Sequence, residues 1–286
     1  MKYVTFRNRG RLAHGIVEGE ELRVLGDGDL SRIVTSAGAH ADARPVERLA
    51  LDEVSLTAPL QRPGKVLAVA ANYQEHVREG GFADREKRIS TPRLFLKPDT
   101  SIAGPDEPIA IPDITEQLDW EAELAVVIGT PARAVDERHA LDHVFGYMTS
   151  NDLSARSLVV GHERDGEPWT AFFDWLAGKW LDASAPIGPW LVSADEVGDP
   201  HDLALTLEVN GETRQSSTTG AMIFSVAEII AFASRLMTLN PGDVILTGTP
   251  AGVGASSGTF LAPGDVMVAE VEGLGRLRTP VIAAPA

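Results

Sequence analysis

The sequence predicts an α+β protein that is mostly β. Three observations carry that expectation. Short apolar runs bounded by Gly, Pro, Asn and Asp recur along nearly all of the 286 residues. Only one stretch, Ser225 to Thr238, keeps a clear helical apolar period over several turns. Finally, Leu118-Asp119-Trp120-Glu121-Ala122-Glu123-Leu124 runs into Ala125 to Gly129, a continuous apolar stretch typical of a strand buried on both faces.

The totals narrow the classes of function. A hydrophobic share of 44% and a charged share of 23% suit a chain that buries a real core. The net charge of -16 argues against nucleic acid as a partner, because sequence-independent binding needs a basic footprint. It leaves small anionic substrates open, since one cation or lysine reverses the sign inside a pocket. With no cysteine, the chain has no disulfide, thiolate zinc site, iron–sulfur cluster or cysteine nucleophile. Met1 to Arg7 has no apolar signal core. No apolar run approaches the roughly 20 residues of a membrane-crossing helix. The expectation is a cytoplasmic protein with no membrane partner.

Residues 1–60 read as a small β-rich domain. Tyr3 to Phe6, Leu12 to Val17, Leu22 to Leu25 and Val54 to Thr57 are its strands, with Asn8-Arg9-Gly10 as a turn and Asp29 to Ser36 as a short helix. His14 and His40 read as ordinary surface or packing residues. Two prolines and a glycine in Ala58 to Gly64 mark the boundary to a second domain, residues 61–286.

That domain opens on a strand, Lys65 to Ala70. Asn72 to Glu79 follows, and Gly80-Gly81 breaks it. On a helical turn, His76 and Glu79 sit three apart and can touch, which makes them a candidate general base with its supporting carboxylate. Gly80 to Thr91 is polar and reads as a flap over a site. Pro92 to Pro98 is a strand ending at Lys97.

The acidic strand comes next. On a strand, Asp119, Glu121 and Glu123 share one face. Two carboxylates about 4 Å apart repel by roughly 4 kcal/mol at an effective dielectric of ~20. Water, protonation, a basic partner or a cation must compensate, and all-oxygen ligands favour Mg²⁺, Mn²⁺ or Ca²⁺. Pro131 to Val144 holds a short helix with Asp136 as N-cap; its His139 and His143 read as an exposed face. Val144 to Ser150 is a buried strand that delivers Asp152 as a natural third oxygen ligand. Arg156 is a basic partner that could pair with Asp152 instead.

Trp169 to Trp180 is rich in aromatics, which read as core or interface. Beside them Lys179 is expected to be partly desolvated, which lowers a lysine pKa. Leu203 to Val209, the turn Asn210-Gly211, and Thr213 to Gln215 form a hairpin. Ser225 and Glu228 make a capping box for the one clear helix. Val244 to Leu246 is a strand leading into Thr247 to Gly254. That glycine-rich loop lacks the Gly-Lys-Ser/Thr of a P-loop, and its backbone N–H groups suit a substrate carboxylate. A last hairpin spans Val266 to Val271 and Leu277 to Ile282.

In this order, the segments Asn72-Tyr73 with His76 and Glu79, Phe95 to Pro98, Trp120 to Leu124, Asn151-Asp152 with Ala155-Arg156, Gly178-Lys179, Asn210 to Glu212 with Arg214-Gln215, Met222 to Phe224 and Leu239 to Gly254 resemble the fumarylacetoacetate hydrolase family. The resemblance covers roughly residues 65 to 282. It implies a mixed β-sheet roll behind the small N-terminal β-rich domain, usually as a homodimer. It implies Mg²⁺ or Mn²⁺ held by Glu121, Glu123 and Asp152, with Asp119 outside the ligand set. It implies catalytic roles for His76, Glu79 and Lys179, and substrate contacts from Asn72, Tyr73, Lys97, Gln215 and Thr249. Two departures bear on the substrate: Lys179-Trp180-Leu181 stands where many relatives have Lys-Ser, and Trp169 to Ala177 is bulkier.

The implied activity is hydrolysis of a 2,4-dioxo acid of acylpyruvate type, through an enolate, to pyruvate and a carboxylic acid. The same site suits decarboxylation or isomerisation of 2-oxo acids in aromatic catabolism. A non-catalytic binding protein on the same fold is the alternative of another class, and a metal titration separates it.

Overall fold

The computed structural model describes residues 1–36 and 45–284. His40 lies outside the described residues.

The apolar run after the acids sits at the centre of the molecule. Strand Ala122–Ile128 is buried at every residue. It lies antiparallel to Val144–Asn151 on one side and to Val244–Leu246 on the other. Val66–Ala70 pairs parallel to Val244–Leu246, and Arg93–Lys97 closes that edge antiparallel. In the other direction Ala185–Ser193 follows Val144–Asn151. Lys2–Asn8 then adds to the same sheet, with Lys2 opposite Val192 and Tyr3 opposite Leu191. The N-terminal strands Arg11–Glu18, Glu21–Asp27 and Glu47–Ala50 continue from there. The N-terminal β region and the larger unit therefore share one sheet of mixed direction.

A second sheet runs in the order Glu212–Thr218, Ala204–Val209, Val266–Val271, Gly275–Ala283, Ile109–Ile111. The period of two along each strand builds the layers. Leu124, Val126 and Ile128 point into a core shared with Leu205, Leu207, Met267 and Ala269 of the second sheet. Ala125 and Val127 point the other way, against Val66, Ala68 and Ile187.

The strongest local signals behave as their chemistry requires. Helix Val226–Leu236 buries Ile229, Ile230 and Ala233. At its start Ser225 Oγ accepts from Glu228 N at 3.2 Å, and Glu228 Oε2 accepts from Ser225 N at 2.8 Å. Asn210 and Gly211 take φ of 53° and 80°, which a two-residue hairpin turn demands.

Four expectations need correction. The acidic strand is not continuous: Leu118–Asp119 pairs with Ser154–Ala155, Trp120 and Glu121 fall in a break, and the next strand starts at Ala122. Asp119 therefore does not share a face with Glu121 and Glu123. The aromatic stretch is a helix, Pro168–Ala177, started by a proline whose missing N–H is harmless there. It is core only in part: Trp169 is 72% and Phe173 55% exposed, whereas Trp175 and Leu176 pack against the core. Asp136 occupies the N-cap position of Glu137–Ala140 without a side-chain capping bond. Arg156 is not helical and does not pair with Asp152, as described below.

Candidate metal and active site

The break after Asp119 and the end of strand Val144–Asn151 bring three acids together. Glu121, Glu123 and Asp152 each offer an oxygen within 4.8 Å of the others, and all three are buried. Antiparallel pairing explains the meeting, since Ala122 stands opposite Asn151. Asn151 Oδ1 accepts from Glu121 N at 2.8 Å, and Asp152 N donates to Glu121 O at 2.8 Å.

Three cations surround the acids. Lys179 Nζ donates to Glu121 Oε2 at 2.7 Å and to Asp152 Oδ2 at 2.8 Å. Arg156 donates through Nη2 to Glu121 Oε1 at 2.6 Å and through Nε to Asp119 Oδ2 at 2.8 Å. Lys97 Nζ lies 2.8 Å from Asp152 Oδ1 without hydrogen-bond alignment; its aligned bond runs to Lys179 O at 2.5 Å.

The charges divide unevenly. Burial works against ionised Glu121, yet Lys179 and Arg156 outweigh it and hold its carboxyl far below the usual range. Glu123 goes the other way: burial, then the charges of Asp152 and Glu121, push it well above that range. Burial also opposes the Lys179 ammonium, but Asp152 and Glu121 carry its pKa upward. This corrects the expected lowering. Burial does win at Lys97, whose pKa falls.

This donor set fits a hard cation. Its ligand atoms are all carboxylate oxygens, Asp152 Oδ1 lacks an aligned donor, and Glu123 has no ion pair among the described residues. Of the three acids, Glu123 is the one without a cationic side chain in contact among the described residues, and a dication there would supply that partner.

The glycine-rich loop uses its amides on the protein's own acids. Gly248 N donates to Glu123 Oε2 at 2.6 Å, Gly252 N to Glu79 Oε2 at 2.9 Å, and Gly254 N and Ala255 N to Asp119 at 2.6 and 3.0 Å. These four amides are committed to the protein's own carboxylates. Gly248 has φ 98°, and a Cβ there would lie 2.7 Å from Asn72 Cβ, so the position requires glycine.

The remaining predicted residues fall into two groups. His76, on helix Gln74–Glu79, has Nδ1 2.7 Å from Glu79 Oε1. His76, Glu79, Glu121, Asp152, Lys179 and Thr249 all line one cavity of about 1040 Å³. Asn72, Gln215 and Lys97 instead brace the site from behind. Asn72 bonds Phe224 N, Phe224 O and Thr247 O. Gln215 takes Ala122 N and gives to Thr249 Oγ1 and Pro250 O. The Tyr73 hydroxyl is buried with no hydrogen-bond partner among the described residues, and burial with the Glu123 charge raises its pKa.

Asp119 has a role the sequence did not indicate: it ties the glycine-rich loop to Arg156. Two residues were not singled out by sequence. Ala71 takes φ 55°, rare for a residue with a side chain. Arg85, buried although its neighbours in sequence are exposed, donates to Ala71 O at 3.0 Å and also to Thr91 O. An arginine in a polar stretch gives no sequence signal of which carbonyls it will hold.

Residues 65–282 match the fumarylacetoacetate (FAA) hydrolase C-terminal family model. The chain is 41% identical over 236 residues to a mitochondrial oxaloacetate tautomerase of Xenopus laevis, covering 82% of this chain and 70% of that one. It is 38% identical to a 2,4-didehydro-3-deoxy-L-rhamnonate hydrolase of Sphingomonas sp. (strain SKA58), over 98% and 96% of the two chains. The solved fumarylacetoacetate hydrolase of Exiguobacterium antarcticum superposes with a TM-score of 0.84 at 36% identity, over 99% of each chain. The chain belongs to the fumarylacetoacetate hydrolase family.

Proposed function

We propose that the protein is a divalent-metal-dependent hydrolase that cleaves the C3–C4 bond of a 2,4-dioxo acid, giving pyruvate and a carboxylic acid. The observation that carries this reading is the His76–Glu79 pair, hydrogen-bonded at 2.7 Å on the wall of the cavity that Glu121, Asp152 and Lys179 also line. Hydrolysis needs a base for water, whereas decarboxylation does not.

Glu121, Glu123 and Asp152 would hold Mg²⁺ or Mn²⁺. When bound, the cation supplies Lewis-acid stabilisation of negative charge on the substrate's 2-oxo oxygen. The protein's own groups do the rest. Glu79 holds Nδ1 of His76 and is itself fixed by Gly252 N. The free Nε2 takes a proton from water as its hydroxyl adds to C4. The C3–C4 bond breaks, its electron pair stays with C3, and the proton returns there. One water is consumed and two acids leave. Lys179, kept as an ammonium by Asp152 and Glu121, is a donor to substrate oxygen rather than a base. Such base catalysis is worth about 10²–10⁴-fold.

The tautomerase relative favours a second reading, proton transfer on oxaloacetate, which would use His76 without adding water to carbon. Homodimer assembly and a cytoplasmic location belong to the proposal as well; light scattering measures the first. The deciding experiment incubates acylpyruvates and oxaloacetate separately with the Mg²⁺-loaded protein and follows products by NMR. Equimolar pyruvate and carboxylic acid from the acylpyruvate are expected. Enol–keto exchange or CO₂ release from oxaloacetate, with no acylpyruvate cleavage, would overturn it.

A further inference from the structure

We infer that the substrate's far end is apolar: the cavity selects a 2-oxo acid with an alkyl or aryl acyl tail over one ending in a second carboxylate or in hydroxyls. This rests on the proposed function only for which end of the substrate meets the acids.

The cavity has two chemically distinct ends. The acid end holds Glu121, Asp152, Lys179, Arg156 and His76. From it, an aromatic wall leads outward. The Lys179 ammonium lies 5.5 Å from the centroid of the Phe95 ring. Phe95 packs edge-on against Trp175 at 5.2 Å, and Trp175 meets Phe172 at 6.0 Å. Leu176 and Trp180 complete this side.

The polar groups along the way are already engaged. Lys179 and Arg156 are held by Glu121, Asp152 and Asp119. Trp180 Nε1 donates to Leu96 O at 2.9 Å. Ser256 Oγ donates to Val253 O at 2.7 Å and Thr249 Oγ1 to Ala122 O at 2.9 Å. Arg93 stands exposed at the mouth. A charged or hydroxylated tail laid on this wall would lose water and meet no uncommitted side-chain partner short of Arg93 at the mouth. A hydrocarbon tail would instead bury its surface against rings. The volume, about 1040 Å³, leaves ample room beyond a pyruvyl group. From the Pro168–Ala177 helix, Phe172, Trp175 and Leu176 line this cavity.

The test compares kcat/KM for acetyl-, hexanoyl- and fumarylpyruvate, and measures by calorimetry the binding of 2-oxooctanoate and 2-oxoglutarate, which cannot be hydrolysed this way. Four extra methylenes at about fourfold each predict a preference for hexanoyl- over acetylpyruvate on the order of 10²-fold. 2-Oxooctanoate should bind at least about tenfold more tightly than 2-oxoglutarate. Trp175→Ala, and independently Phe172→Ala at the more exposed end, should each shrink the hexanoyl-to-acetyl ratio by about fivefold or more. A preference for fumarylpyruvate, tighter 2-oxoglutarate binding, or an unchanged ratio in both variants would overturn the inference. If no acylpyruvate is cleaved but 2-oxooctanoate still binds more tightly, the hydrolase reading fails and the apolar-tail inference stands.

Discussion

Lys179 Nζ sits 2.7 Å from Glu121 Oε2, yet Glu123, two residues further on, has no ion pair among the described residues. One acid of the triad is thus overcompensated by Lys179 and Arg156, and its neighbour is left exposed to like charge. The asymmetry makes Glu123 the residue where a cation has most to gain.

A first prediction concerns Glu123→Gln. The substitution keeps an oxygen to accept from Gly248 N and spares the folded chain the cost of protonating a carboxyl whose ionised form burial, Asp152 and Glu121 oppose. The metal-free variant should be more stable than wild type, by on the order of 1 kcal/mol. Urea unfolding in chelator measures it. A clear loss of stability would mean that Glu123 is compensated by groups not recognised above.

The second prediction concerns pH. The Glu123 carboxyl is raised by burial and by Asp152 and Glu121. The folded, metal-free protein thus keeps a proton that the unfolded chain loses near pH ~4.3. That stabilising contribution is complete below the unfolded value and is lost as pH rises through the folded one. A cation needs the carboxylate, so its binding releases a proton and strengthens with pH. The Tm increment from Mg²⁺ or Mn²⁺ should therefore be larger at about pH 8 than at about pH 5.5. A flat or falling increment, read by differential scanning fluorimetry, would count against this.

His76→Gln and Glu79→Gln make a third, separable test. Each should lower kcat by about 10²–10⁴-fold. Neither contributes an oxygen to the acidic cluster, so the cation-induced Tm increment should persist. Burial acts against the Glu79 carboxylate, but His76 and Gly252 N outweigh it and hold its pKa below the ordinary value. Its contribution to stability is therefore present above the unfolded pKa and lost as pH falls through the lower folded one. Glu79→Gln should correspondingly reduce the stability difference between neutral pH and pH ~3.5. Loss of cation binding in either variant would contradict the division of roles.

Fourth, Asp119→Asn should destabilise the fold by about 3 kcal/mol. Asp119, itself buried, accepts from Trp120 N, Gly254 N, Ala255 N and Arg156 Nε. The neutral side chain leaves Arg156 with Glu121 alone. Chemical unfolding checks the magnitude; a change under about 0.5 kcal/mol would show that the loop anchor is redundant.

Much of the architecture was legible because the signals are local. The unbroken apolar run at Leu124 to Ile128 announces a central strand. Ser225 with Glu228 fixes a helix start, and Asn210-Gly211 fixes a hairpin. The acids that meet, Glu121, Glu123 and Asp152, were also readable as oxygen donors at strand ends. What stayed hidden depends on long-range geometry. Arg156 turns to Asp119 and Glu121 because Ser154–Ala155 pairs with Leu118–Asp119, a contact that no local pattern encodes. The direction of the Lys179 pKa is a balance between burial and two carboxylates distant in sequence. In the Pro168–Ala177 helix, Phe172 and Trp175 line the cavity while Trp169 is exposed, a division that no local period marks.

Titrating Mn²⁺ into the metal-free protein by calorimetry tests the central claim most directly, with Asp152→Asn and Glu123→Gln as controls. One ion per chain, bound with proton release and lost in both variants, is the predicted result. No binding, or binding that survives both substitutions, would place any cation elsewhere and leave the proposed chemistry without its site.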